Sequence, residues 1–148
     1  MDFGIVQFTS DRGLKPQVVA PLIEEAGFAS YFVPEHGHIP TRRDAAHPQT
    51  GDSSLPDDRY MRTLDPWVSL GTAAAVTSRV RLSTAVALPV EHDCITLAKS
   101  IATLDHLSGG RFRLGLGVSG PQVSEGWHGV RFAKPLSRTR EYVEIVRS

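Results

Sequence analysis

Apolar and polar positions change period several times along the chain, and each change marks an element. Phe3 to Phe8 is a short apolar run followed by turn residues, which predicts a buried first strand. Pro16 suits a first helical position and Gly27 the residue just past a helix end, so a helix finishing near Ala26 is expected. Pro21 lies inside it and removes an internal hydrogen bond, which predicts a kink or a late start. Ser30-Tyr31-Phe32-Val33 reads as a second strand, stopped by Pro34, which has no amide to give to a ladder. Asp65 before Pro66 is a helix cap followed by a first-turn proline, and Trp67 to Thr77 continues as a helix apolar on more than one face. Val80, Leu82, Thr84, Val86 and Leu88 alternate with Arg81, Ser83, Ala85 and Ala87 at the period of a third strand, closed by Pro89. Asp93 caps the next helix, where Leu97, Ala98, Ile101, Leu104 and Leu107 keep helical spacing until Ser108-Gly109-Gly110. Phe112, Leu114, Leu116 and Val118 predict a fourth strand with Gly115 and Gly117 on its other face. Leu136 to Ser148 carries a last helical stripe of Tyr142, Val143, Ile145 and Val146.

Strands that alternate with helices imply crossover connections, hence an α/β domain with a parallel sheet. Four βα units are visible. An eight-unit (β/α)8 TIM barrel takes about 250 residues, so residues 1–148 are expected to be the N-terminal half of one, with two open sheet edges. The last helix reaches Ser148 without a cap, as expected of a truncated barrel. Between about residues 37 and 62 the pattern lapses into prolines (Pro40, Pro48, Pro56), Gly51 and interleaved Arg and Asp, including Arg42 and Arg43. A loop of that length in a compact domain predicts a lid over a binding site, the plainer alternative being a solvated insertion.

Composition narrows the picture. With 148 residues, 41% apolar and 22% charged, the chain has the makeup of one soluble globular domain. Sixteen Lys and Arg offset sixteen Asp and Glu, so no net field favours nucleic acid or an anionic membrane. Apolar runs fall far short of the roughly 18 residues a membrane helix needs. Cys94 is the single cysteine and has no internal disulfide partner, and no signal-peptide pattern follows Met1; a cytoplasmic location is expected.

Candidate chemistry concentrates in Pro34-Glu35-His36-Gly37-His38, directly after the second strand. Ligands of parallel α/β folds bind at the carboxyl ends of strands, and a histidine beside a carboxylate can move protons near neutrality. His36, oriented by Glu35, is therefore the expected catalytic group. His36 and His38 also form an H-x-H pair that could serve a metal hydrolase, with His47 or His128 as helpers, but no further ligand spacing supports it. Gly115-Leu116-Gly117-Val118-Ser119-Gly120 fits G-x-G-x-x-G, yet two of its glycines lie in a strand, Pro121 follows, and no second strand carries an acid about twenty residues on. Strand glycines instead point to close approach of backbone or ligand. Cys94 reads as a small packing or capping residue rather than a nucleophile, and Trp127-His128-Gly129 as either a pocket wall or a loop anchor.

Several segments together resemble the luciferase-like flavin and deazaflavin oxidoreductases, and among them the subgroup that uses coenzyme F420. They are Glu24-Glu25-Ala26-Gly27-Phe28 leading to Pro34-Glu35-His36, Thr63-Leu64-Asp65-Pro66-Trp67, Arg81 to Val86, Ala102 to Arg111, and Gly115-Leu116-Gly117-Val118. The F420 subgroup is marked by the stretch from Gly126-Trp127-His128-Gly129 to Arg140-Glu141-Tyr142-Val143. The resemblance implies a barrel enzyme, active as a homo-oligomer such as a dimer, that passes a hydride between F420 and a small-molecule substrate. It implies cofactor contacts from Glu35, His36, Ala85, Val86 and Gln122, with a non-proline cis peptide between Ala85 and Val86. Gly120-Pro121 stands where sugar-phosphate dehydrogenases of the family carry a glutamate proton donor, so a sugar substrate is not expected. The alternatives are an FMN-dependent monooxygenase on the same scaffold, the metal hydrolase, and an inactive half-barrel that pairs its edges with another chain.

Overall fold

The computed structural model describes residues 1–47 and 49–147; Pro48 of the long loop, the terminal Ser148 and the side chain of Glu125 lie outside that description. Four strands, β1 (Gly4–Val6), β2 (Ser30–Val33), β3 (Arg81–Thr84) and β4 (Phe112–Arg113), form one parallel sheet in the order β1-β2-β3-β4. The helices α1 (Pro16–Glu25), α2 (Pro66–Ala74) and α3 (Cys94–Leu107) make the crossovers, and α4 (Pro121–Gly126) and α5 (Pro135–Arg147) follow β4. Register pairs Ile5 with Tyr31, Tyr31 with Leu82 and Leu82 with Phe112, which puts these four side chains on one face. Tyr31, Leu82 and Phe112 meet Ala20, Ile23, Leu70, Ala73 and Leu104 there, and this is the core. The opposite face carries Val6, Phe32 and Ser83; Ser83 is buried, but at the β1 edge Val6 is 62% exposed. That open edge is the reverse of what a closed barrel interior shows.

The expected elements are present, with corrections to α1, β3 and β4, the last of which covers only Phe112–Arg113 instead of running to Val118. Helix α1 starts at Pro16 rather than late, with Pro21 inside it; the carbonyl that Pro21 leaves unbonded belongs to exposed Gln17. Strand β3 stops at Thr84 instead of running to Leu88. Ser83 pairs with Arg113 while Ala87 bridges Leu116, so three residues of one strand (84–86) oppose two of the other (114–115), a β-bulge. The Ala85–Val86 peptide inside the bulge is cis, at the bond the resemblance implied. Pro89 opens a 3-10 turn over Pro89–Glu91, and a second such turn, Asp58–Arg62 capped by Asp57, ends the long loop.

Two side chains clamp the amino-terminal side of the sheet. Arg111 donates to the carbonyls of Ala74, Thr77, Val80 and Ser108 and to the Thr77 hydroxyl, so one guanidinium holds the ends of α2 and α3 to the strands. Glu24 accepts from the backbone amides of Ser78, Arg79 and Val80. Burial raises its pKa, but those amides outweigh it and hold the carboxyl at about 2, against an ordinary 4.5. A depressed carboxylate contributes stability that is full above the unfolded value and is lost as pH falls through the folded one. Wild type is therefore expected to exceed Glu24→Gln in stability above pH 4.5, with the difference fading toward pH 2, as urea denaturation at stepped pH would read.

Candidate active site

A cleft of about 780 Å3 opens at the carboxyl ends of β2 and β3, walled by Pro34, Ala85, Val86, Leu88 and Val118 and roofed by the long loop. Glu35, His36, His38 and Glu91 bring polar groups to a wall that is otherwise mostly apolar. This combination is the usual character of a small-molecule site. A smaller hollow of about 370 Å3 at the opposite strand ends is lined by Glu24, Glu25, Phe28 and Arg81, and the Glu24 carboxylate is spent on the amides described above.

Glu35 is 5% exposed, and its bonds tie α2 and both ends of the 3-10 turn Pro89–Glu91 to the end of β2. Trp67 Nε1 of α2 donates to Oε1 at 3.3 Å, the Leu88 amide to Oε2 at 2.6 Å, and His92 Nε2 lies 2.8 Å from Oε1. The histidine that Glu35 orients is thus His92, not the adjacent His36. Both side chains line the cleft, but Glu35 spends its oxygens on these three donors while His36 packs against other rings. Burial raises the Glu35 pKa, but the His92 bond and the Leu88 amide outweigh it and the net shift is down. The same bond raises that of His92 against its own burial. Tyr142 of α5 donates to the His92 carbonyl at 3.1 Å and extends the chain of contacts to the last helix.

His36 stands among aromatic rings. Its centroid is 5.7 Å from Phe8 and 5.5 Å from Tyr60, and Tyr60 comes from the 3-10 turn that ends the loop. Burial lowers the pKa of His36, the Glu35 charge partly restores it, and His47 lowers it again. The net shift is down from the ordinary 6.5, which favours the neutral imidazole near pH 7. His38 faces elsewhere, toward Trp127 and His128, with ring separations of 5.4 and 5.2 Å. Among the described residues no group of three or more His, Cys, Asp or Glu side chains is placed to hold a metal ion, so the H-x-H pair finds no third ligand.

The other expected site residues fall as follows. Ala85 and Val86 line the cleft at the bulge, and the glycines of G-x-G-x-x-G serve that bulge: a Cβ on Gly115 would meet the Thr84 carbonyl oxygen and one on Gly117 the Val86 side chain. Gly120 does precede a helix, α4, with Pro121 in its first turn. Gln122 lines the cleft, but its amide donates to the Arg42 carbonyl at 2.7 Å and accepts from the Asp44 amide at 3.2 Å, which pins the long loop to α4. Burial, with the Asp93 charge, raises the Cys94 thiol pKa, so it is no activated nucleophile. Sequence reasoning missed His92 and Tyr60. An aromatic residue in a charged loop and a histidine next to the Asp93 cap were the available signals.

Comparison with known proteins adds to this geometry. Residues 17–148 match the family described as luciferase-like monooxygenase. An uncharacterized protein of Mycobacterium tuberculosis is 62% identical over 148 residues, covering 100% of this chain and 52% of its own length. A putative coenzyme F420-dependent oxidoreductase of the same organism is 55% identical over 83 residues, 56% of this chain and 24% of that protein. The crystal structure of a monooxygenase from Streptomyces bottropensis superposes with a TM-score of 0.71 at 29% identity, covering 99% of this chain and 42% of that one. The chain spans about half the length of the curated relatives it matches over its whole extent. Its four βα units are thus part of the TIM-barrel fold of these enzymes.

Proposed function

The chain belongs to the luciferase-like monooxygenase family, a family of oxidoreductases, and from that membership we propose that it forms the cofactor-binding half of an F420-dependent oxidoreductase acting on a small organic substrate. The observation that carries this reading is the cleft at the strand ends, whose apolar floor is the Ala85–Val86 bulge. A flat, uncharged ring system suits such a floor, and the close backbone approach at Gly115 and Gly117 supports it from behind. The relative described as F420-dependent favours the deazaflavin over FMN.

When bound, the deazaflavin supplies a ring carbon that carries the hydride. The residues of this chain do the rest. Ala85 and Val86 back the ring and fix its plane. Glu35 keeps the bulge and the β2 end in place through Leu88 and Trp67, and serves as a positioning residue. His36, neutral and half-buried at the rim, accepts the substrate proton at a ring nitrogen when hydride leaves, and returns it in the reverse direction. Gln122 holds the loop over the cleft and keeps water out. His36→Asn is expected to slow turnover, followed by F420 absorbance, by about 100-fold or more while F420 affinity changes little. Turnover within about threefold of wild type would remove His36 from the proton-transfer role.

A further inference from the structure

We propose that Glu91, His38 and His128 form a subsite on the wall of the cleft that takes a hydroxyl group of the ligand. This deepens the function proposed above and rests on it for the identification of that ligand as the substrate. Glu91 ends the 3-10 turn after β3, and its side chain is 4% exposed. Its Oε1 has no hydrogen-bond partner, and its Oε2 lies 3.8 Å from His128 Nε2, beyond hydrogen-bond length. The Nε2 atoms of His38 and His128 are buried and also without a hydrogen-bond partner, and the two rings are 5.2 Å apart. Glu91 and His38 both line the cleft.

Buried polar atoms almost always have partners, and three orphans on Glu91 and His38 in the wall and on the adjacent His128 mark the place of an absent one. Its chemistry follows from the donors and acceptors. A carboxylate only accepts, so the partner must donate; a histidine N–H needs an acceptor. A hydroxyl does both with one oxygen. A carbonyl or ether leaves Glu91 unmet, whereas a hydroxyl donates to Glu91 and serves an imidazole nitrogen in either tautomer. A metal ion is disfavoured because the three side chains are not placed as a ligand set. His36 is separate from this group, packed against Phe8 and Tyr60 on its own side of the rim.

The test compares three six-membered rings of similar size, cyclohexanol, cyclohexanone and oxane, by NMR titration of the purified protein. The Trp127 indole and histidine side-chain resonances report on binding. Cyclohexanol is expected to bind about tenfold more tightly than the ketone or the ether, as a hydrogen bond to an otherwise unmet buried acceptor predicts. Glu91→Leu should erase that preference to within about twofold, and Glu91→Gln should keep part of it. Equal binding of the three rings by wild type, no binding of any, or a preference untouched by Glu91→Leu would overturn the proposal. Should Glu91→Leu not fold, the wild-type comparison and His38→Phe decide in the same way. Titration with F420 in parallel separates the two claims: loss of the hydroxyl preference with F420 binding intact sinks the subsite alone, and the converse sinks the cofactor reading alone.

Discussion

Replacing Glu35 with alanine is expected to lower the free energy of unfolding by about 3 kcal/mol, the scale seen when one partner of a buried ion pair is removed. Three donors lose their acceptor together: the Trp67 indole, the Leu88 amide and His92. Leaving a buried donor unmet costs more than the bond itself contributed. His92→Phe should cost less, because Glu35 keeps its other two donors. The pH dependence of that second variant has a definite sign. The folded pKa of His92 is raised, so its contribution is complete below about 6.5 and is lost as pH rises through the folded value. The folded pKa of Glu35 is lowered, so its contribution is complete above 4.5 and is lost as pH falls through the folded value. Wild type should therefore exceed His92→Phe most clearly between these limits. A Glu35→Ala loss under about 1 kcal/mol in urea denaturation would show that water replaces the carboxylate.

Gly115→Ala is expected to be destabilising by about 3 kcal/mol, at the upper end of what overpacking costs. The added Cβ would clash with the Thr84 carbonyl oxygen, which is backbone and cannot swing aside. Hydrogen bonds hold the segment on both sides, from the Thr84 hydroxyl to the Gly115 carbonyl at 2.8 Å and from the Ala87 amide to the same oxygen at 2.8 Å. For a chain of this length the loss corresponds to a fall in Tm of roughly 10 °C. Gly71→Ala is the control. Gly71 lies within α2, where a Cβ meets nothing within 4 Å, and the same substitution should there stabilise by about 0.5–1 kcal/mol. Opposite signs from one chemical change would show that close approach at the bulge, rather than glycine content, sets the outcome.

Much of this architecture was legible in the sequence because burial imposes a period. The order of strands and helices, the caps Asp65 and Asp93, and the placement of Glu35 and His36 at a strand end all follow from local residue chemistry. What sequence could not give depends on register between distant segments. Glu35 and His92 are 57 residues apart, and they meet only because the 3-10 turn after β3 folds His92 under β2. Alternation from Val80 to Leu88 reads as one strand, whereas the bulge ends the ladder at Thr84. Resemblance to the family pointed to the Ala85–Val86 bond inside that bulge; periodicity did not. Gln122 shows the same limit, since its bonds to residues 42 and 44 join parts of the chain about 80 residues apart.

Whether the cleft is a deazaflavin site is tested most directly by fluorescence titration of the purified chain with F420 and with FMN, beside a longer protein that continues past residue 148. Saturable binding of F420 in preference to FMN, weakened by Glu35→Ala, is the expected result. Preference for FMN would turn the reading to a flavin monooxygenase on the same scaffold, and failure of both proteins to bind F420 would contradict the cofactor assignment.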